Sequence, residues 1–338
     1  MQIIPAVLIA TLSVLISCKN SNQYTWSELP EVTNINRLQH TEFVPTLESP
    51  VEHNKNIIYA PAFLYAWDKV KQKLNTPISL TNNNSAEFKL LNQSVSYKNT
   101  LLADEYSAEA ELAGNVIFAK AFFNKTLPFP SGLQKLDDPI LFDNTKVSVF
   151  GMQSYNEETV KFTEILYYKD DDNFILKFTP KDTLHEIQLV KGITSVMNLS
   201  DALRETRRLI DLGEKEKSAS VISWKYTLND IDIFSVPVIK FNIEKNYSSI
   251  EGQVFTTKNK KHSVEIAYQR TGFILNEKGA VVESEANVVV DSAVAELIKV
   301  QPKKMIFDKP FFVIIKRAKS ENPYFVMWVR NSELLTKK

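Results

Sequence analysis

Cysteine and glycine are both scarce in this chain, and each scarcity removes a class of protein. The 338 residues contain a single cysteine, Cys18, so no disulfide bond can form within the chain. The eight glycines are spread out, and no GxGxxG or Walker loop brings them together where a backbone must approach a phosphate. The sequence therefore excludes a disulfide-stapled scaffold and gives no support to nucleotide binding.

The charge balance removes a second class. Lysine and arginine together number 40, and so do aspartate and glutamate, which gives a net charge of zero. No global basic field favours nucleic acid, and we expect no nucleic-acid partner. A hydrophobic share of 44% suits a globular protein that buries a sizeable core, as one large domain or two small ones.

Local catalytic and metal-binding motifs are missing as well. The sequence has no HExxH and no GxSxG elbow, and its only thiol lies at the N terminus. The four histidines lie far apart and are interpreted as surface or structural residues: His40, His53, His185 and His262. A triad assembled in space stays open, but no local pattern supports one. We therefore expect no enzyme, no cofactor and no metal.

Two charged stretches admit both a binding and a structural interpretation. The three aspartates at residues 170–172 could hold calcium, but they separate two predicted strands, lack EF-hand spacing and fit a solvated hairpin turn. The basic run KNKKH at residues 258–262 could bind a polyanion or form a charged hairpin tip. We interpret both stretches as turns.

The first 18 residues have the pattern of a bacterial lipoprotein signal. Their apolar core is too short to span a membrane and has the length of a signal h-region, although no Lys or Arg precedes it. LISC at residues 15–18 fits the lipobox, in which the cysteine becomes the lipidated N terminus. We predict a signal peptide at residues 1–17, then a polar tether at 18–52 that is lipidated on Cys18. A protein of the cell envelope follows, facing the periplasm or the outside; an ordinary cleaved signal and an uncleaved anchor are the alternatives.

Residues 53–335 are predicted to form one α+β domain whose second half is rich in strands. Apolar residues at helical spacing predict a helix from Phe63 to Leu74, and LSDALRETRRLIDLG predicts a second helix with Ser200 as its N-cap and Gly213 as its stop. Strand patterns are found at residues 57–59, 115–123, 146–152, 162–169, 173–179, 184–190, 234–243, 263–275, 310–317 and 324–329.

The stretch NEKGAVVESEANVVVDSAVAEL, residues 276–297, begins like a turn and continues like a strand. One face of that strand carries the small residues Ala280, Val282, Ser284 and Ala286. The other face carries Val281, Glu283, Glu285 and Asn287. Because a strand has period two, the first face can be buried under a sheet, whereas a shift by one residue would bury two unpaired carboxylates. An ordinary strand and a surface loop are the other interpretations.

Six blocks, in order along residues 54–331, resemble those of serpins, the protease inhibitors that trap their target by inserting a loop into a β-sheet. The blocks are NKNIIYAPAFLYA (54–66), GNVIFAKAFFNKTLPF (114–129), TKVSVFGM (145–152), FSVPVIKFNIEKNY (234–247), GFILNEKG (272–279) and FDKPFFVIIKRAKSENPYFVMWVRN (307–331). The resemblance implies an α+β fold with a large central mixed sheet, a second, β-barrel-like sheet region and a few helices. It also implies an exposed reactive-centre loop within residues 279–306. Asn115, Lys120 and Phe123 would stand on the central strand.

The resemblance also implies a mechanism. Glu277, Lys278, Gly279 and Ala280 would form a hinge, and Val282, Ser284 and Ala286 would be buried once a protease has cut the loop. Insertion would need room for a new strand beside residues 114–123 and would pull the acyl-enzyme apart before deacylation. Counting from the hinge puts the scissile bond at Ala293–Val294. Counting back from FDKPF puts it at Lys299–Val300, which suits a trypsin-like target.

Departures from the family pattern weaken the inhibition hypothesis more than the fold. Valines rather than a run of alanines follow Ala280, Gln269 stands at the family's histidine, and the chain before Gly114 is short. The leading hypothesis is a monomeric, lipid-anchored, serpin-like inhibitor of a serine protease, with cysteine proteases as a second target class. The alternative is a non-inhibitory, serpin-like binding or structural lipoprotein of the envelope.

Overall fold

The structure is a computed structural model that describes residues 29–103, 105–123, 125–258, 260–280 and 301–338. The strands within these ranges are β1 (Thr33–Asn34), β2 (Thr41–Val44), β3 (Asn56–Tyr59), β4 (Tyr106–Ala113), β5 (Val116–Phe123), β6 (Leu127–Pro128), β7 (Gln134–Phe142), β8 (Thr145–Met152), β9 (Thr163–Asp170), β10 (Asn173–Phe178), β11 (His185–Lys191), β12 (Ile233–Pro237), β13 (Ile239–Asn246), β14 (Val254–Thr257), β15 (Lys260–Leu275), β16 (Gly279–Ala280), β17 (Lys304–Ile306), β18 (Phe311–Arg317) and β19 (Phe325–Val329). The helices are α1 (Ala62–Leu74), α2 (Ala86–Gln93), α3 (Glu157–Phe162) and α4 (Leu199–Ser218), with 3₁₀ turns at Ile35–Arg37, Ser220–Tyr226 and Ser332–Leu334.

These strands form three principal sheets and one small pair. The main sheet has the order β1-β13-β15-β5-β4, and β14 also pairs with β15. A seven-stranded sheet has the order β2-β3-β19-β18-β11-β10-β9, a four-stranded sheet β17-β12-β8-β7, and β16 pairs with β6. Parallel and antiparallel neighbours both occur in the main sheet. The predicted α+β class with a large mixed sheet and few helices is confirmed, while none of the sheets closes into a barrel within the described ranges.

Helix α1 fills the space beneath the main sheet with aromatic side chains. Phe63 stacks on Tyr247 at 4.8 Å between ring centroids. Trp67 meets Phe88 of α2 edge-on at 5.1 Å and Phe255 of β14 at 5.8 Å. Burying a large aromatic side chain contributes roughly 1.5–3 kcal/mol, so this layer holds α1 firmly under the strands. The helix ends at Leu74, as the apolar spacing predicts.

Helix α4 differs from its prediction at both ends. Its N-cap is Asn198 rather than Ser200, because the Asn198 side chain accepts a hydrogen bond from the Asp201 amide at 2.9 Å. It also continues past Gly213 to Ser218. Gly213 is buried in the helix where a Cβ would lie 2.0 Å from the carbonyl oxygen of Leu166 in β9. The glycine therefore serves close packing against a strand rather than helix termination.

The Gly213→Ala substitution is expected to destabilise the protein by about 1–3 kcal/mol, because the added methyl group has to push β9 and α4 apart. This loss opposes the gain of up to about 1 kcal/mol that alanine brings to a helix interior. Urea unfolding of the variant measures the difference. The exposed neighbour Glu214→Ala serves as the control and should stay within about 0.5 kcal/mol of the parent. A Gly213→Ala protein as stable as the parent would show that the two elements are less tightly packed.

The structure also places strands in the segment expected as a tether. Thr33 lies opposite Ile243 in the main sheet, and β2 runs parallel to β3 in the seven-stranded sheet. Phe43 and Val44 of β2 are fully buried. The folded domain therefore begins near Thr33 rather than at residue 53. The sequence did not show this, because strands this short carry too little hydrophobic pattern to be recognised in a polar segment. No helix of the described ranges has the length and apolarity needed to cross a bilayer.

Candidate functional site

The predicted site of insertion is the ladder between β5 and β15, which we call the seam. The two strands are parallel and pair from Val116 opposite Ser263 to Phe123 opposite Thr271. The other edge of β5 pairs with β4 along its whole length. No open space therefore lies beside residues 114–123, and a new strand could enter only by separating β5 from β15.

Three alanines lie on the inner face of the seam. Ala119 and Ala121 of β5 and Ala267 of β15 are completely buried beneath the sheet. Small residues leave shallow ridges, so this face offers room for the side chains of an additional strand better than a face of large residues would. The geometry is compatible with insertion, although the resting state is closed.

The hinge residues 277–280 form a tight turn at the end of β15. Asn276 and Gly279 exchange two backbone hydrogen bonds, each 3.1 Å long. The φ angle of Gly279 is +127°, and a Cβ there would lie 2.4 Å from the carbonyl oxygen of Leu127. Only glycine satisfies both requirements. The residues predicted as a hinge therefore form a turn that requires glycine at position 279.

A segment that follows β5 holds this turn in place, and we call residues 127–133 the clamp. Gly279 and Ala280 pair with Pro128 and Leu127 as a two-stranded ladder. The amide of Phe129 donates to the carbonyl of Lys278 at 2.9 Å, and that of Leu133 donates to the carbonyl of Glu277 at 2.8 Å. Ala280 is 1% exposed. The hinge cannot move unless these bonds to the clamp break.

A buried amide network lies under the middle of the seam. The Tyr247 hydroxyl donates to the Gln269 side-chain carbonyl at 3.2 Å. The Gln269 amide donates to the Ala60 carbonyl at 3.3 Å and to the Thr271 hydroxyl at 3.1 Å. Burial raises the pKa of Tyr247 far above its usual range, so the network carries no charge at any ordinary pH. Gln269 thus has a defined structural role under the sheet.

The three residues expected on the central strand do not converge on the hinge. Asn115 is exposed in the turn between β4 and β5, where its carbonyl accepts a bond of 2.9 Å from the Ser263 amide. Lys120 is exposed on β5, and Phe123 is the last residue of that strand. The remaining predicted site residues lie outside the described ranges: Cys18, Val282, Ser284, Ala286, Ala293, Val294, Lys299 and Val300.

The far end of the expected loop is held by a buried ion pair. Lys303 Nζ lies 2.8 Å from the Asp232 carboxylate, and both side chains are fully buried. The Lys303 amide donates to the same carboxylate at 2.8 Å, and its Nζ donates to the Trp224 carbonyl at 3.2 Å. Strand β17 follows at once and pairs with β12. The loop candidate 279–306 is therefore structured at both ends, and no local signal in the sequence marks this anchor.

Both charged stretches with two interpretations lie at the ends of hairpin strands: residues 171–172 form a turn after β9, and residues 260–262 belong to β15. Asp170 lies opposite Asn173 in the hairpin between β9 and β10. Asp171 accepts from the Lys304 amide at 2.9 Å, and Asp172 pairs with Lys309 at 2.7 Å, which helps to lower the pKa of Asp172. Lys258 lies at the tip between β14 and β15 with a φ of 47°. Among the described residues, no group of three or more His, Cys, Asp or Glu side chains could hold a metal ion.

Comparison with known proteins finds similarity only at the level of structure. No protein-family profile matches the chain, and no curated protein matches its sequence. Solved structures do match. They are serpins. A serpin of the insect Tenebrio molitor is 16% identical at a TM-score of 0.35, covering 63% of this chain and 55% of the other.

Two further serpins match to a similar degree. A serpin of the trematode Schistosoma haematobium is 12% identical at a TM-score of 0.39, with 64% and 56% of the two chains covered. The thermophilic serpin tengpin in its native state is 12% identical at 0.37, with 63% and 55% covered. The similarity spans little more than half of each neighbour's length. These structures belong to the family that the six blocks resemble, and at these TM-scores the similarity carries no argument about the activity of this chain.

Proposed function

We propose that this chain inhibits serine proteases, with cysteine proteases as a second target class, through loop cleavage, trapping of the acyl-enzyme and strand insertion. The observation that carries this proposal is the register of the turn at residues 276–279. In that turn Asn276 lies opposite Gly279. A strand continuing from the turn would run antiparallel to β15 and would place Ala280 opposite Leu275.

Continuing this register brings the small face of the loop onto the buried face of β15. Residues 282, 284 and 286 would fall opposite Phe273, Thr271 and Gln269 in turn. All three of these β15 residues are buried. Cross-strand partners share a face of a sheet, so Val282, Ser284 and Ala286 would point inward and Glu283 and Glu285 outward. The turn geometry thus supports the same register that the sequence pattern favours.

Insertion of this kind lowers the free energy of the sheet. One parallel ladder would be replaced by two antiparallel ladders, which are slightly more stable per residue. Burial of Val282 adds roughly 1.5–3 kcal/mol. Glu285 would lie opposite Arg270, and opposite charges in that position add roughly 0.2–1 kcal/mol. The cut loop therefore has a favourable destination in the seam.

Inhibition would follow from the timing of two events. The protease's nucleophile attacks the scissile bond and forms an acyl-enzyme with the N-terminal part of the loop. Separation of the hinge from the clamp then lets the loop enter the seam and carry the bound protease away before water completes the reaction. The role of this chain is mechanical, and its own residues supply no catalytic group to the step.

The proposal predicts a covalent complex and a more stable cleaved protein. Incubation with trypsin-, elastase- and subtilisin-like proteases should give an SDS-stable band that contains protease and inhibitor. Cleavage within residues 286–300 should raise Tm by roughly 5–15 °C. The added stability is about 2–4 kcal/mol, and each kcal/mol shifts Tm by about 2–4 °C in a protein of this size. Cleavage without a complex and without a rise in Tm would refute the mechanism.

The closed seam favours a second candidate, a non-inhibitory, serpin-like binding or structural lipoprotein. β5 is paired on both edges, and the Gln269 network ties the sheet to the segment before α1. A protein that keeps this sheet closed would lose its loop to a protease without any change in stability. In both cases we propose lipidation at Cys18 and attachment to a membrane of the cell envelope, supported by the LISC sequence at residues 15–18.

A further inference from the structure

A cluster of five charged or titratable side chains joins the main sheet to the seven-stranded sheet close to the clamp. We call it the ionic joint, and its members are Glu105, Lys125, Asp182, His185 and Arg317. Glu105 immediately precedes β4, and Lys125 lies between β5 and β6. Asp182 lies three residues before β11, His185 is the first residue of β11, and Arg317 is the last residue of β18. Lys125 is two residues from Leu127, which pairs with Ala280 of the hinge.

The carboxylate of Glu105 is the centre of the joint. It pairs with Lys125, and it accepts from Arg317 at 2.8 Å and from the Leu102 amide at 2.8 Å. Burial alone would raise the pKa of Glu105, but these three donors outweigh it and lower the pKa to about 2. Glu105 therefore stays ionised while the pH falls well below neutral.

His185 lies against this centre in its neutral form. Its side chain is fully buried, and Nδ1 is 2.9 Å from the Tyr324 hydroxyl. Nε2 has no hydrogen-bond partner but lies 3.3 Å from the Asp182 carboxylate and 3.5 Å from that of Glu105. Burial, then the nearby Lys125 charge, lowers the pKa of His185 to about 4. Two carboxylates and two cations balance each other only while the imidazole is neutral.

We propose that the ionic joint makes the hold of the clamp on the hinge sensitive to acid, with His185 as the group that takes up the proton. The protonated imidazole turns Nε2–H toward Asp182 and Glu105 and leaves the buried joint with one surplus positive charge. Lys125, bound to the same two carboxylates, is the cation that is displaced toward water. Its movement pulls on Leu127 and loosens the pairing with Ala280.

The direction follows from linkage. The pKa of His185 is lowered from its ordinary value of 6.5 in the resting joint, so at a pH above 6.5 the neutral imidazole favours the resting joint over the open one. That preference is lost as the pH falls toward the lowered pKa, and the population of the open joint rises. The consequence rests on the proposed function, because release of the hinge is the step that precedes strand insertion. Acid would then speed insertion after cleavage.

Hydrogen exchange of the full-length protein tests the proposal without any protease. The readout is the protection of residues 125–133 and 276–280 between pH 7 and pH 4, corrected for the chemical exchange rate, with β18 and β19 as internal references. In the parent, protection of these two segments should fall at least tenfold on acidification while the references keep theirs. In His185→Gln, which cannot take up the proton, the fall should be less than twofold.

A matched control comes from the second buried histidine. His262 is 5% exposed and also has a pKa lowered by burial, but it lies near the start of β15, whereas the hinge follows the end of that strand. His262→Gln should respond to acid as the parent does. Equal acid responses in His185→Gln and the parent would overturn the proposal.

A second variant covers the case in which His185→Gln does not fold. Asp182 is the most exposed member of the joint, and Asp182→Asn leaves it with a surplus positive charge already at pH 7. That variant should show reduced protection of residues 125–133 at neutral pH, and unchanged protection would count against the proposal. Because the readout involves no protease, failure to form an inhibitory complex would refute the proposed function and leave this inference standing.

Discussion

Under the proposed mechanism, Val282→Glu is expected to turn an inhibitor of proteases into a substrate. In the register set by the turn at residues 276–279, position 282 would lie opposite Phe273, which is 5% exposed on the inner face of β15. Burying an unpaired carboxylate there costs roughly 3 kcal/mol or more. At 1.36 kcal/mol per factor of ten, insertion slows by on the order of 100-fold. Hydrolysis of the acyl-enzyme then becomes faster than insertion, and the protease is released.

The neighbouring substitution Val281→Glu is a control matched in both the original and the new residue. In the same register position 281 would lie opposite Ile274 on the other face of the sheet, so a carboxylate there would not enter the inner face that Phe273 lines. The stoichiometry of inhibition, measured as inhibitor consumed per protease trapped, should rise steeply for Val282→Glu and stay near the parent value for Val281→Glu. The reverse order would mean that the register is shifted by one residue, and equal values would mean that this segment does not enter the sheet.

Long strands with regular patterns could be predicted from the sequence, whereas strands that depend on their neighbours could not. β4 has the sequence YSAEAELA, whose alanines and glutamates have low strand propensity, and it forms because β5 pairs with it along its length. β7 is interrupted by a bulge between Leu136 and Ile140, which contains two aspartates and a proline. Their conformations come from tertiary pairing that no local window contains.

The predicted strand at residues 234–243 is in fact two strands that belong to different sheets. β12 ends at Pro237 in the four-stranded sheet, and β13 begins at Ile239 in the main sheet. Between them the Val238 amide donates to the Ser148 carbonyl at 2.9 Å. The apolar pattern continues through the junction because both strands are buried, so periodicity alone cannot show where the chain changes sheets.

One residue of the expected hinge occupies a position where the backbone selects the residue type. Gly279 has a conformation and a close contact that only glycine tolerates, and the resemblance to the family's hinge block had singled out that glycine. The clamp was not predictable, because backbone amides and carbonyls hold it to the hinge and they are the same for every residue type. His185 shows the same limit, since only the fold brings Glu105 and Asp182 to its ring.

The largest loss of stability is expected from Lys303→Met. The substitution removes the cation from the fully buried pair and leaves the charge of the Asp232 carboxylate uncompensated. Its remaining donors are the backbone amide of Lys303 and the backbone and side-chain amides of Asn229. Breaking such a pair on one side costs about 3–5 kcal/mol. In urea unfolding this appears as a lower midpoint at an unchanged slope. The matched control is Lys309→Met, which breaks a pair with Asp172 whose side chains are both more than half exposed.

The comparison of these two lysines separates burial from charge. Lys303 lies in the last few residues of the expected loop and Lys309 just after it, and both bind an aspartate, at 2.8 Å for Lys303 and 2.7 Å for Lys309. Solvent screens the exposed pair, whose loss should cost no more than about 1 kcal/mol. A similar small effect for Lys303→Met would mean that water reaches Asp232 and that the loop's C-terminal end is not anchored there. A large loss of stability in Lys303→Met, together with the same yield of protease complex as the parent, would mean that the anchor stabilises the fold and has no part in trapping. This outcome is consistent with the proposed mechanism, because only the chain before the cut inserts into the sheet.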